Sequence, residues 1–163
     1  MRSATVDTGR PSYFESRCRF TVRMAPPVDL RRRYRLCTAI AGIASLSMGA
    51  FHLVLPQVFG WGPFVDTLPP AVAWGVYAIN TFFSVLLMLG ALLSLRTRIE
   101  SGDAARLVPL GMCAFWIVNA AYQVVRPFPV PRSLVAVRWS LLAFPVIVAA
   151  CYGAAWRAAA RWR

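Results

Sequence analysis

Four apolar stretches fill more than half of this chain, at about residues 36–59, 71–95, 107–125 and 134–156, and none of them holds an Asp, a Glu or a Lys. A helix rises about 1.5 Å per residue and the hydrocarbon layer is about 30 Å thick, so about 20 apolar residues cross it. A chain of 163 residues, 58% of them hydrophobic, has no water-soluble core large enough to hide four such segments. They also show little of the amphipathic alternation that a soluble bundle requires. The expected fold class is all-α. It is a four-transmembrane-helix bundle over residues 31–163, led by a disordered basic N-terminal tail over residues 1–30, which has no sustained hydrophobic period. Met24, directly ahead of an Arg cluster, is an alternative start of translation.

The formal charge of +12 does not point to nucleic acid. All 18 basic residues are Arg, and nine of them precede the first stretch, ending in Arg31-Arg32-Arg33-Tyr34-Arg35. The connection after the first stretch has no Arg and one acid, Asp66; the next carries Arg96, Arg98 and Arg106; the third carries Arg126 and Arg132; the tail carries Arg157, Arg161 and Arg163. Positive charge is retained on the cytoplasmic side, so both termini are expected there. The third connection fits least well. The N-terminal arginines also suit anionic headgroups, at about 1 kcal/mol each near the surface. A chain with Arg and Ala but no Lys suggests a GC-rich genome, and hence a bacterial inner membrane, crossed several times.

Chemistry is constrained by what is missing. A bis-His haem needs two intramembrane histidines, and the chain has His52 alone. A zinc or di-iron site needs clustered His, Cys or carboxylates. Proton-coupled transport usually works through an intramembrane carboxylate. The cysteines Cys18, Cys37, Cys113 and Cys151 form no C-x-x-C and read as apolar packing residues. No phosphate-binding loop or nucleophile elbow occurs. No cofactor is therefore expected, and no catalytic or metal-ligating residue.

Orientation turns position along each stretch into depth. His52 on the first, Asn80 on the second, Asn119 and Gln123 on the third and Arg138 on the fourth all fall in the outer half. Polar groups are costly against lipid, so they are expected to turn inward and form a small polar pocket. The competing reading is structural: Asn and Gln tie helices together at about 0.6 kcal/mol per bond, and a shallow Arg snorkels to phosphates. Packing is expected along Ala41, Ser45 and Gly49, and along Ala149 and Gly153, where small residues recur at intervals of four. Pro56 is expected to end the first span and Pro145 to kink the fourth. Trp61 and Trp74 mark the outer interface, Trp156 and Trp162 the inner one.

At His52, Pro56 and Gly60-Trp61, then Asn80, then Phe115-Trp116 with Gln123, the chain resembles small uncharacterised four-helix bacterial membrane proteins, distantly of the DoxX-like group. That resemblance implies a four-helix inner-membrane protein and carries over no activity. The first functional expectation is a non-enzymatic accessory or scaffold subunit, with a homo-oligomer or a membrane partner subunit as its companion. The alternative is a binder or transporter of a small polar or anionic molecule through His52, Asn80, Asn119, Gln123 and Arg138. A weaker third is an oxidoreductase subunit that borrows its cofactor ligands from a partner.

Overall fold

The computed structural model describes residues 28–99, 102–127 and 132–161, which are helical and contain no strand. Four long helices, α1 (Val28–Val58), α3 (Pro70–Arg96), α4 (Ala104–Val125) and α5 (Val135–Ala160), alternate in direction, with a one-turn helix α2 (Gly62–Val65) between the first two. All four are long and apolar enough to cross a membrane, as in a multi-pass membrane protein. The helix of α1 starts at Val28, inside the segment read as tail, and carries the Arg31–Arg35 cluster as its first turns. Arg is a good helix former, so the apolar boundary at residue 36 marks a change of solvent and not of conformation. The rest of the expected tail, with Cys18, and also Trp162, lie outside the described residues.

Helix α1 is central. It packs along α3 on one side and α5 on the other; α5 packs along α4, while α3 and α4 meet only sparsely. Small residues explain the close approach. A Cβ on Gly42 would stand 2.9 Å from the Leu95 side chain, and one on Gly49 would meet Met88 at 2.6 Å and the Ser84 carbonyl at 3.1 Å. Ala41 and Ser45, on the same stripe, are fully buried. Gly153 faces Cys113 less tightly, its would-be Cβ 3.5 Å from the sulfur, an ordinary contact distance. The small-residue spacing seen in the sequence is thus the actual contact surface of α1 with α3 and of α5 with α4.

Buried polar groups then join the helices. Trp116 of α4 donates its indole N–H to Ser45 Oγ of α1 at 3.0 Å. Ser45 Oγ lies 3.4 Å from the hydroxyl of Tyr152 on α5. Ser94 of α3 donates to the Gly90 carbonyl of its own helix, at 2.7 Å. One run of hydrogen bonds therefore joins α1, α4 and α5. Nearer the chain ends, Tyr34 donates to Thr97 Oγ1 at 2.8 Å, and Thr97 donates to the Ser94 carbonyl at 2.8 Å. This closes the start of α1 onto the end of α3.

The bundle is tight at one end only. We call the end holding the α1–α3 and α4–α5 connections the loop face, and the opposite end the terminal face. Towards the loop face, α1 has no buried residue after Gly49, α3 none before Ser84, α4 none after Trp116 and α5 none before Pro145. The cut falls at a similar depth on every helix. At this cut, around the level of Trp116, a ladder of rings spans the bundle: His52 to Phe83 at 5.0 Å, Phe83 to Phe115 at 5.8 Å, Phe115 to Trp116 at 5.4 Å and Trp116 to Phe144 at 5.3 Å. These rings fill the space where α3 and α4 stand apart.

Two outcomes check this packing by unfolding in detergent. Gly49→Val is expected to cost about 1–3 kcal/mol by overpacking against α3, whereas Gly111→Val, facing open space, is expected to be near neutral. Tyr152→Phe removes the hydroxyl that meets Ser45 and is expected to cost about 0.6–1.7 kcal/mol.

Candidate functional site

The five polar residues singled out from the sequence do not meet in one pocket. They divide between two helix pairs, and each pair has its own chemistry.

On the α1–α3 side, the structure brings His52 and Asn80 together through a backbone atom. Pro56 lies inside α1 and lacks an N–H, so it leaves the carbonyl of His52, four residues earlier, without its helical donor. Asn80 Nδ2 donates to that carbonyl at 2.8 Å. In turn Ser84 donates to the Asn80 carbonyl at 2.6 Å. Asn80 thus repairs the break that Pro56 makes, in a solvent that cannot repair it. The helix does not stop at Pro56, as the sequence suggested, but runs to Val58. It ends two residues later in a Schellman cap, with Gly60 at φ +58°, Gly60 N–H on the Gln57 carbonyl at 3.3 Å and Trp61 N–H on the Pro56 carbonyl at 2.9 Å. The His52 ring, half-buried, packs edge-on against Phe83 and Phe51.

On the α4–α5 side, Gln123 and Arg138 line one cavity of about 340 Å³. Val135, Trp139 and Leu142 share its α5 wall with Arg138, at the i, i+3, i+4, i+7 spacing of one helix face. Arg138 is exposed, and it makes no ion pair or hydrogen bond with another described residue. Its guanidinium offers five N–H donors in a planar fork. Gln123 adds an amide across the cavity. Asn119 is half-buried one turn below Gln123 on α4; it lines neither this cavity nor the groove described next, and bonds no described residue.

The cavity exists because α5 leaves its neighbours. Every residue from Ser133 to Ser140 is exposed, and burial begins at Pro145, which cannot donate to the Leu141 carbonyl. On the opposite face of the same segment, a shallower groove of about 380 Å³ separates α5 from α1, lined by Met48, Val137, Ser140 and Phe144. Ser140 spends its proton on the Ala136 carbonyl at 2.9 Å, so this second wall is apolar. Trp139, which the sequence reading passed over, belongs to the first cavity; its place next to Arg138 at an interfacial depth was the available signal.

The arrangement can donate hydrogen bonds and positive charge to an anion. It offers no nucleophile beside a base, and among the described residues no group of three or more His, Cys, Asp or Glu could hold a metal ion. No family model matches the chain, and neither does any curated protein or solved structure.

The Pro56–Asn80 pairing makes a specific outcome testable. Asn80→Ala is expected to cost about 1 kcal/mol by orphaning the His52 carbonyl. In a Pro56→Ala background, where residue 56 regains its N–H, the same change is expected to cost much less. A double-mutant cycle in detergent measures that coupling.

Proposed function

We propose that this protein is a non-enzymatic binding protein of a bacterial inner membrane. Its loop face points outward, and it holds a small anionic guest between α4 and α5 on Arg138 and Gln123. The observation that carries the reading is the cavity itself: a cation without a counter-ion among the described residues, a neighbouring amide and an apolar wall. An unpaired intramembrane charge is costly and marks a functional site by default. The bare Gly60–Pro70 connection, set against basic residues at the terminal face, supports the outward direction of the loop face. His52 and Asn80 are left out of the guest site, because their hydrogen bond serves the helix that Pro56 interrupts. A distant DoxX-like kinship is compatible with this proposal and adds no residue to it.

Two measurements test the reading. Native mass spectrometry of the full chain released from mild detergent is expected to retain an anionic adduct that Arg138→Gln loses, with unchanged melting as the check on folding. A bare wild-type ion overturns the proposal. A periplasmic reporter fused after Asp66 is expected to be active; a cytoplasmic signal there reverses the orientation.

A further inference from the structure

Resting on the reading of the α4–α5 cavity as an anion site, we infer that its guest is an anionic membrane lipid, and not a water-soluble anion. The head, a phosphate ester, lies on Arg138 and Gln123, and an acyl chain runs along Leu141 and Leu142 towards the ring ladder.

Four features of the cavity carry this. First, its donors sit at one level, and apolar wall continues below them. Arg138 lies about one turn from the start of α5, with Val135 above it, and Leu141 and Leu142 lie deeper, so a head held on Arg138 and Gln123 has an apolar surface beneath it. A phospholipid has the same order. Second, the entrance is lateral. Arg138 is exposed and Trp139 is 62% exposed, on a span that no other described helix covers there. What reaches such a face from the side is lipid. Third, α5 does not have to be displaced. The groove on its α1 side leaves it free on both flanks over the same residues, so a chain can enter without breaking packed contacts. Fourth, the bundle is closed beyond the cavity. Pro145 and Trp116 are buried, and Phe144 meets Trp116 edge-on at 5.3 Å, so a guest between α4 and α5 is held in the loop half.

A free phosphate offers the same oxygens to Arg138 but leaves the apolar wall unused. The experiment separates the two sources. Full-length protein in mild detergent is titrated with phosphatidylglycerol, with phosphatidylcholine of the same chains and, separately, with inorganic phosphate, and adducts are read by native mass spectrometry. One arginine near a membrane surface corresponds to about a fivefold preference for an anionic head. Wild type is therefore expected to retain phosphatidylglycerol about fivefold over phosphatidylcholine, and Arg138→Gln is expected to erase that ratio. Val135→Trp places a ring in the cavity from an exposed position, so the fold is spared; it is expected to lower the occupancy of both lipids. Inorganic phosphate is expected to add nothing. Equal retention of the two lipids by wild type, or a preference that survives Arg138→Gln, overturns the inference, as does unchanged lipid occupancy in Val135→Trp. If phosphate alone binds in an Arg138-dependent way, the lipid guest is wrong while the anion site stands. If neither phosphate nor the lipid ratio depends on Arg138, both fall together.

Discussion

Helices in lipid gain nothing from hiding apolar surface from one another, so something else must hold them. Here it is the hydroxyl of Ser45. It sits fully buried at the middle of α1, accepts from Trp116 of α4, and meets the hydroxyl of Tyr152 of α5. The contact distances follow from it. Ser45 lies on the small-residue stripe of Ala41 and Gly49, and that stripe lets Trp116 and Tyr152 come near enough to share its hydroxyl. Each bond is worth little, about 0.6 kcal/mol on average in such settings. Their value lies in register: a helix that slides by one residue loses its place in the run.

The same logic explains why the loop half is open. Above Trp116 the inter-helix bond described here is the one from Asn80 to the His52 carbonyl, and it repairs a proline more than it recruits a helix. Helix α5 has two breaks in its favour at that level. Pro145 removes a backbone donor, and the residues beyond it offer large side chains, Trp139, Leu141 and Leu142, where α1 offers small ones. Helices carrying such groups stand apart, and the space between them is the cavity at Arg138.

Much of this was legible in the chain. Length and hydropathy located all four spans to within a few turns, and the interval of four located the faces of α1 and α5 that pack. Other parts were not legible, for physical reasons. Depth is one coordinate, and it does not give azimuth. His52 and Arg138 stand at similar depth, yet they face different helix pairs. Ser45 was visible as a small residue, but its role as an acceptor depends on Trp116 and Tyr152, which are distant in sequence. The partner of Asn80 is a main-chain oxygen, and side-chain patterns carry no record of it except through Pro56. Exposure from Ser133 to Ser140 was hidden as well, because a lipid-facing helix surface and a protein-facing one are both largely apolar.

The α1–α3 connection carries a consequence for biogenesis. Between these two helices the chain turns through the Gly60 cap and α2, whose Val65 is buried, and the Asn80 and Tyr34 bonds then fasten one helix to the other. All of those groups lie before residue 98. A hairpin with its own cap and cross-links is thus available while α4 and α5 are still being synthesised. The second hairpin forms its own contacts at Cys113, Ala149 and Gly153. Insertion can proceed as two hairpins in succession, and the Ser45 hydroxyl, presented on the finished face of the first, is the latch that receives the second.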